Sequence, residues 1–260
     1  MRRARLLLAA AVLTGLAAGC GTGAGPAAPG PDDADRPTTL TVFAAASLKS
    51  TFTTLGRSFE SAHPGTRVTF SFAGSADLAA QLQSGAPADV FAAADEKNMT
   101  KVTADQLVQG APRVFATNRL EIAVPPDNPA RIGSLADLAE PGVRLVTCAV
   151  EVPCGTAARQ VQQAAGVTLT PVSEESSVTD VLGKVQSGEA DAGLVYVTDV
   201  RAAGPRVKGV ALPEAGRALN RYPVAALAKS RQPGLAAEFV QLVTGAEGQR
   251  VLGAAGFGRP

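Results

Sequence analysis

Short apolar runs rich in Val, Leu and Phe alternate with amphipathic segments from residue 38 onward, and no other feature limits the fold as strongly. The runs at 39–44, 67–72, 89–92, 120–124, 144–149, 192–196, 207–212 and 222–228 read as strands. Between them, Leu48, Phe52, Leu55 and Phe59 recur at the i, i+4, i+7, i+11 spacing of one helix face. Leu78 with Leu82, and Val178, Val181, Leu182 and Val185, repeat that spacing. The alternation predicts βαβ units in an α/β fold, with parallel sheets covered on both faces. In such sheets ligands lie beyond the carboxyl ends of strands, where helices begin. A chain of 260 residues has room for one large or two small domains with a real core.

The first 20 residues stand apart. Arg2, Arg3 and Arg5 precede an apolar run from 6 to 16, and the segment closes on small residues before Cys20. The run is too short to span a bilayer, so residues 1–19 read as an export signal. An ending on cysteine resembles a bacterial lipoprotein signal, with Cys20 as the lipidated residue and membrane anchor; the alternative is ordinary secretion. Residues 20–37 are rich in Gly, Pro, Ala and Asp without apolar period and read as a flexible tether. Cleavage would remove three of the 24 basic residues against 23 acidic ones, taking the formal charge from +1 to −2. A nucleic-acid partner, which calls for a basic face, is not expected.

In an exported protein, Cys148 and Cys154 form a candidate disulfide six residues apart; two buried thiols are the other reading. The stretch FAAASLKSTF at 43–52 places a serine at a strand-to-helix joint preceded only by alanines. Helix starts of similar chemistry occur at Ser75, at Cys154-Gly155-Thr156 and at Ser176-Ser177-Val178. A helix N-terminus has unpaired N–H groups and the positive end of the macrodipole, so it suits an anion. Any one of these serines taken alone is equally a plain N-cap.

Enzyme chemistry finds little support. The single histidine, His63, lies in a helix-end turn, and no GxSxG, HExxH or phosphate-cradling loop occurs. Asp89, Asp95 and Asp199 read as caps or loop ties rather than catalysts. Iron(III) binding would want more than two Tyr and one His, and sugar binding favours aromatic stacking in a chain with no Trp.

The motifs LTVFAAASL (40–48), FAGSADLAAQL (72–82), GAPADVFAAAD (85–95), EVPCGTAA (151–158) and GLVYVTD (193–199) closely resemble the substrate-binding proteins of bacterial molybdate ABC transporters. The resemblance runs in the family's order from 40 to 257. It implies a type II periplasmic-binding-protein fold of two lobes, each a mixed, mainly parallel sheet flanked by helices. The chain would cross between lobes near 115–120 and 219–222. Lobe 1 would hold 38–117 and 221–260, and lobe 2 would hold 118–220.

The resemblance also implies a ligand and its contacts. The ligand would be molybdate or tungstate, with the molybdenum held as an oxyanion and not coordinated as a metal, and no cofactor. Ser47, Ser75 and Tyr196 match the family's hydroxyl donors, and Cys154 and Val178 match its backbone N–H donors. Cysteine stands at 154 where the family commonly has alanine. A bond from it to Cys148 would stiffen the loop by roughly 2 kcal/mol without touching the N–H. The implied partners are an ABC permease with its ATPase subunits, for a monomer held outside the cytoplasm. Neutral donors and helix dipoles can enclose a dianion without the tighter grip of a lysine or arginine. Sulfate, smaller but of the same charge and shape, remains the nearest alternative ligand, and a secreted hydrolase the more distant one.

Overall fold

The computed structural model describes residues 37–260, so the export signal, Cys20 and the tether up to residue 36 lie outside the described residues. The chain runs β1 (Thr38–Ala45), a 3₁₀ turn (Ala46–Leu48), α1 (Lys49–Ala62), β2 (Thr66–Ala73), α2 (Ser75–Gln83), β3 (Val90–Ala92), α3 (Glu96–Ala104) and β4 (Arg113–Asn118). It continues through β5 (Leu120–Val124), β6 (Leu145–Cys148), α4 (Pro153–Ala165), β7 (Ser173–Glu175), α5 (Val178–Gln186), β8 (Ala192–Tyr196), α6 (Val197–Ala203) and β9 (Lys208–Val210). β10 (Asn220–Ala226), α7 (Pro233–Thr244) and α8 (Ala246–Ala255) complete it. No helix among the described residues is long and apolar enough to cross a membrane.

The strands form two five-stranded sheets, ordered β2-β1-β3-β10-β4 and β7-β6-β8-β5-β9. Alternation along the strands of the first sheet decides which helices cover which face. Val42, Val90 and Val224 point into one core with Phe52, Leu55, Phe59 and Phe239 of α1 and α7. Their neighbours Phe43, Phe91 and Ala225 point the other way, against Leu78 and Leu82 of α2 and Met99 of α3. The spaced apolar set at 48, 52, 55 and 59 is thus one buried helix face. Val178, Val181 and Val185 of α5 join the separate core of the second sheet.

The sheets are less parallel than the strand–helix alternation predicts. Four pairings are parallel and four antiparallel. Every antiparallel pairing involves β5 or β10. Each of these is the first strand after the chain passes from one sheet to the other, and it lies between two strands of that sheet with its direction reversed relative to both. Two strands carried no readable signal. β4 falls on a segment expected only as a crossing, and β7, Ser-Glu-Glu, is a polar edge strand held by β6. His63 ends α1, stacks on Phe59 and bonds Glu238 of α7, so it is a half-buried tie.

Candidate functional site: a neutral cavity between the sheets

The helix starts meet in space. Ser47 occupies the 3₁₀ turn before α1, and Ser75 is the first residue of α2. Cys154 lies in the first turn of α4, Val178 opens α5, and Tyr196 ends β8 just before α6. All five line one small cavity, and none of the residues lining it carries a formal charge. Five helix starts, from both sheets, therefore border one small space, where the positive end of a helix dipole favours an anion. Ala45 and Ala46, which precede Ser47, also face it.

The hydrogen bonds set which way the donors point. The backbone N–H of Ala94 donates to Ser75 Oγ at 3.0 Å, so the serine's own hydrogen is left for an acceptor in the cavity. Ser75 is thus not the N-cap of its helix, which is Gly74. Ser177, by contrast, is a plain N-cap, accepting from Asp180 N–H. Tyr196 Oη is buried without a hydrogen-bond partner among the described residues. Burial, with Tyr222, Asp95 and Asp199 nearby, pushes its phenol well above the ordinary value, so it stays a donor. A buried, unpaired donor is costly unless something occupies the space beside it.

The loop leading into α4 is tightly held. Cys148, ending β6, is disulfide-bonded to Cys154. A side chain on Gly155 would meet the Ala149 carbonyl oxygen at 1.9 Å, so only glycine lets the helix start pack against that loop.

Several site residues gave no sequence signal. Gly74 lies against the Ser176 carbonyl of the other sheet's segment; a β-carbon there would sit 2.0 Å from its oxygen. Asn220 donates to the Ala94 carbonyl at 2.9 Å and toward that of Pro153 at 3.4 Å, bridging both sides of the cleft. Tyr222, on β10, contacts Ser47 Oγ at 3.0 Å. One clue was available: the chain has only two tyrosines, and they pack edge to face with centroids 6.0 Å apart.

The acidic residues hold structure, as their sequence contexts imply. Asp95 caps α3 through Asn98 N–H, and Asp89 accepts from Thr41 N–H and Ser230. Asp199 accepts from Tyr196 N–H at 2.9 Å, and burial raises its carboxyl to about 7 against that bond's opposing pull. With its folded value above its ordinary one, the folded state takes up this proton more readily. Its stabilising contribution is therefore complete below about pH 4 and lost as pH rises through about 7. Asp199→Asn keeps an acceptor for Tyr196 N–H but cannot titrate. Melting curves from pH 4 to 8 should show wild type losing up to about 4 kcal/mol relative to the variant; parallel profiles would refute this.

Comparison with known proteins identifies the family. The profile of the family described as bacterial extracellular solute-binding protein matches residues 40–258. The molybdate-binding protein ModA of Mycobacterium tuberculosis is 48% identical over 255 residues, 98% of this chain and 97% of that protein. Among solved structures, the periplasmic molybdate-binding protein of Azotobacter vinelandii superposes with a TM-score of 0.74 at 23% identity, covering 85% of this chain and 99% of that one. The sulfate-binding protein SubI of M. tuberculosis superposes with a TM-score of 0.71 at 20% identity, covering 85% and 86%. At such identities the superpositions speak for the fold alone, and that fold serves more than one oxyanion.

Proposed function

This chain belongs to the bacterial extracellular solute-binding proteins, in the branch of the ModA molybdate-binding proteins, and from that premise we propose how it takes up its ligand. It is a solute-binding protein of ABC transport and not an enzyme. It captures molybdate, and with it tungstate, between two lobes and hands the anion to a membrane permease with its ATPase subunits. The lobes are 38–117 with 221–260, and 118–220. Ser47, Ser75 and Tyr196 give hydroxyl hydrogens to the oxyanion, and Cys154 and Val178 give backbone N–H groups. The exported chain acts outside the cytoplasm as a monomer, anchored through lipid on Cys20. Partition of the processed protein into membrane tests that anchor.

The observation that carries the reading is the convergence of five neutral helix starts on one cavity without a cation. Such a lining takes a fully ionised tetrahedral oxyanion through charge-assisted hydrogen bonds, yet leaves no ion pair to prevent release. A phosphoryl or ester substrate would find no base beside Ser47 or Ser75, whose neighbours are backbone and tyrosine.

Melting curves test the ligand. Molybdate and tungstate at a hundred times the dissociation constant should each stabilise the protein by about 2.7 kcal/mol through mass action. Sulfate at equal concentration should do little, because its smaller radius leaves donors on one wall out of reach. An equal or greater shift with sulfate would move the assignment to the smaller anion.

A further inference from the structure

The hydroxyl of Ser47 is useful to an anion only if its hydrogen points into the cavity, and the residues behind it decide that direction. Asn118, ending β4, has its side-chain carbonyl engaged by the backbone N–H of Arg119 at 3.0 Å. Its amide nitrogen therefore faces the opposite way, donating to Thr198 Oγ1 at 2.8 Å and lying 3.5 Å from Tyr222 Oη. An amide nitrogen only donates, so Tyr222 presents its oxygen to Asn118 as acceptor. Tyr222 is fully buried, and the acceptor that its hydrogen meets at 3.0 Å is Ser47 Oγ. A buried phenol does not leave its hydrogen unpaired when an acceptor lies at that distance. The order is then one-directional: Asn118 N–H to Tyr222 oxygen, Tyr222 O–H to Ser47 oxygen, Ser47 O–H to the cavity.

We propose that Tyr222, oriented by Asn118, is a positioning residue that commits Ser47 to donate into the anion cavity. The inference rests on the oxyanion reading above and adds to it two residues from β4 and β10, strands of the same sheet as β1, which leads into Ser47. β10 and β4 are the paired strands next to both crossings between sheets. The relay is therefore assembled at the place where the two halves of the molecule join. Without the Tyr222 hydroxyl, Ser47 is free to rotate its hydrogen toward other acceptors, and the anion must pay to orient it.

The test is a double-mutant cycle read by calorimetric titration with sodium molybdate, using the mature chain. Tyr222→Phe should weaken molybdate about tenfold when Ser47 is present, and less than about twofold in a Ser47→Ala background. A residue that merely supported the fold would weaken binding by the same factor in both backgrounds, and that result would overturn the proposal. So would Tyr222→Phe with wild-type affinity. If melting curves show that Tyr222→Phe does not fold, Asn118→Asp serves instead. It turns an acceptor oxygen toward Tyr222 and draws the phenol hydrogen away from Ser47, so part of its effect must likewise vanish in Ser47→Ala. Equal effects in both backgrounds would again refute the relay. Failure of wild type itself to bind molybdate would strike the ligand assignment, a distinguishable outcome.

Discussion

Replacing Gly74 with alanine should weaken molybdate binding by about a hundredfold or more while leaving the unliganded melting temperature nearly unchanged. The backbone at Gly74 has φ −59°, which alanine adopts freely, so the substitution carries no conformational strain. What it adds is one carbon atom 2.0 Å from the Ser176 carbonyl oxygen and 3.2 Å from its carbon. Both are backbone atoms at the start of α5 and cannot swing aside as a flexible side chain would. Gly74 precedes α2 of the first sheet, so the two halves must separate by roughly an ångström to admit the methyl group. Donors on opposite walls then cannot all reach one anion, and losing two charge-assisted bonds at about 1.5–3 kcal/mol each gives the predicted factor. Gly183→Ala, in α5 with open space around it, is the control and should bind normally. Small-angle scattering with and without molybdate reads the same event, as a failure of the variant to compact. Wild-type affinity in Gly74→Ala would mean that this contact does not limit closure.

Tyr196→Phe should move stability and affinity in opposite directions. Its hydroxyl is buried at the cavity without a partner, so removing it relieves the unliganded protein of a desolvation cost of about 1–3 kcal/mol. The melting temperature without anion should therefore hold or rise. The same hydroxyl is proposed to donate to the oxyanion, and its loss should cost about ten- to a hundredfold in molybdate affinity. Val178→Ala gives the contrast: its contribution is an N–H that alanine keeps, so affinity should change little. Titration and melting of both variants decide the matter. A Tyr196→Phe protein that melts lower but binds normally would show the hydroxyl to be structural, and a large loss in Val178→Ala would misassign the backbone donor.

Much of the molecule could be read along the chain because its signals are local. The set Leu48, Phe52, Leu55 and Phe59 forms one buried face because helical spacing alone puts these side chains together. The same holds for β1, β2 and β8, whose apolar content needs no knowledge of their neighbours. Ser47, Ser75, Cys154, Val178 and Tyr196 could be nominated because each stands in a short motif at a strand or helix end, and family likeness tied those motifs to one anion. That they share a cavity is a fact of the fold.

What the chain alone left undecided depends on meetings between distant segments. The reversed direction of β5 and β10 follows from where the chain changes sheets, and their composition carries no trace of it. β7 is a strand only because β6 offers it an edge. Ser47 and Tyr222 are 175 residues apart, so neither neighbourhood reveals that one hydroxyl orients the other. Gly74 reads as an ordinary small residue before a helix until Ser176 is seen against it. Local periodicity and capping chemistry determined the elements and the donors. Only tertiary contact determined which way Ser47 points and how near the two sheets approach, because Tyr222 lies far along the chain from Ser47 and the Ser176 carbonyl against Gly74 belongs to the other sheet's segment.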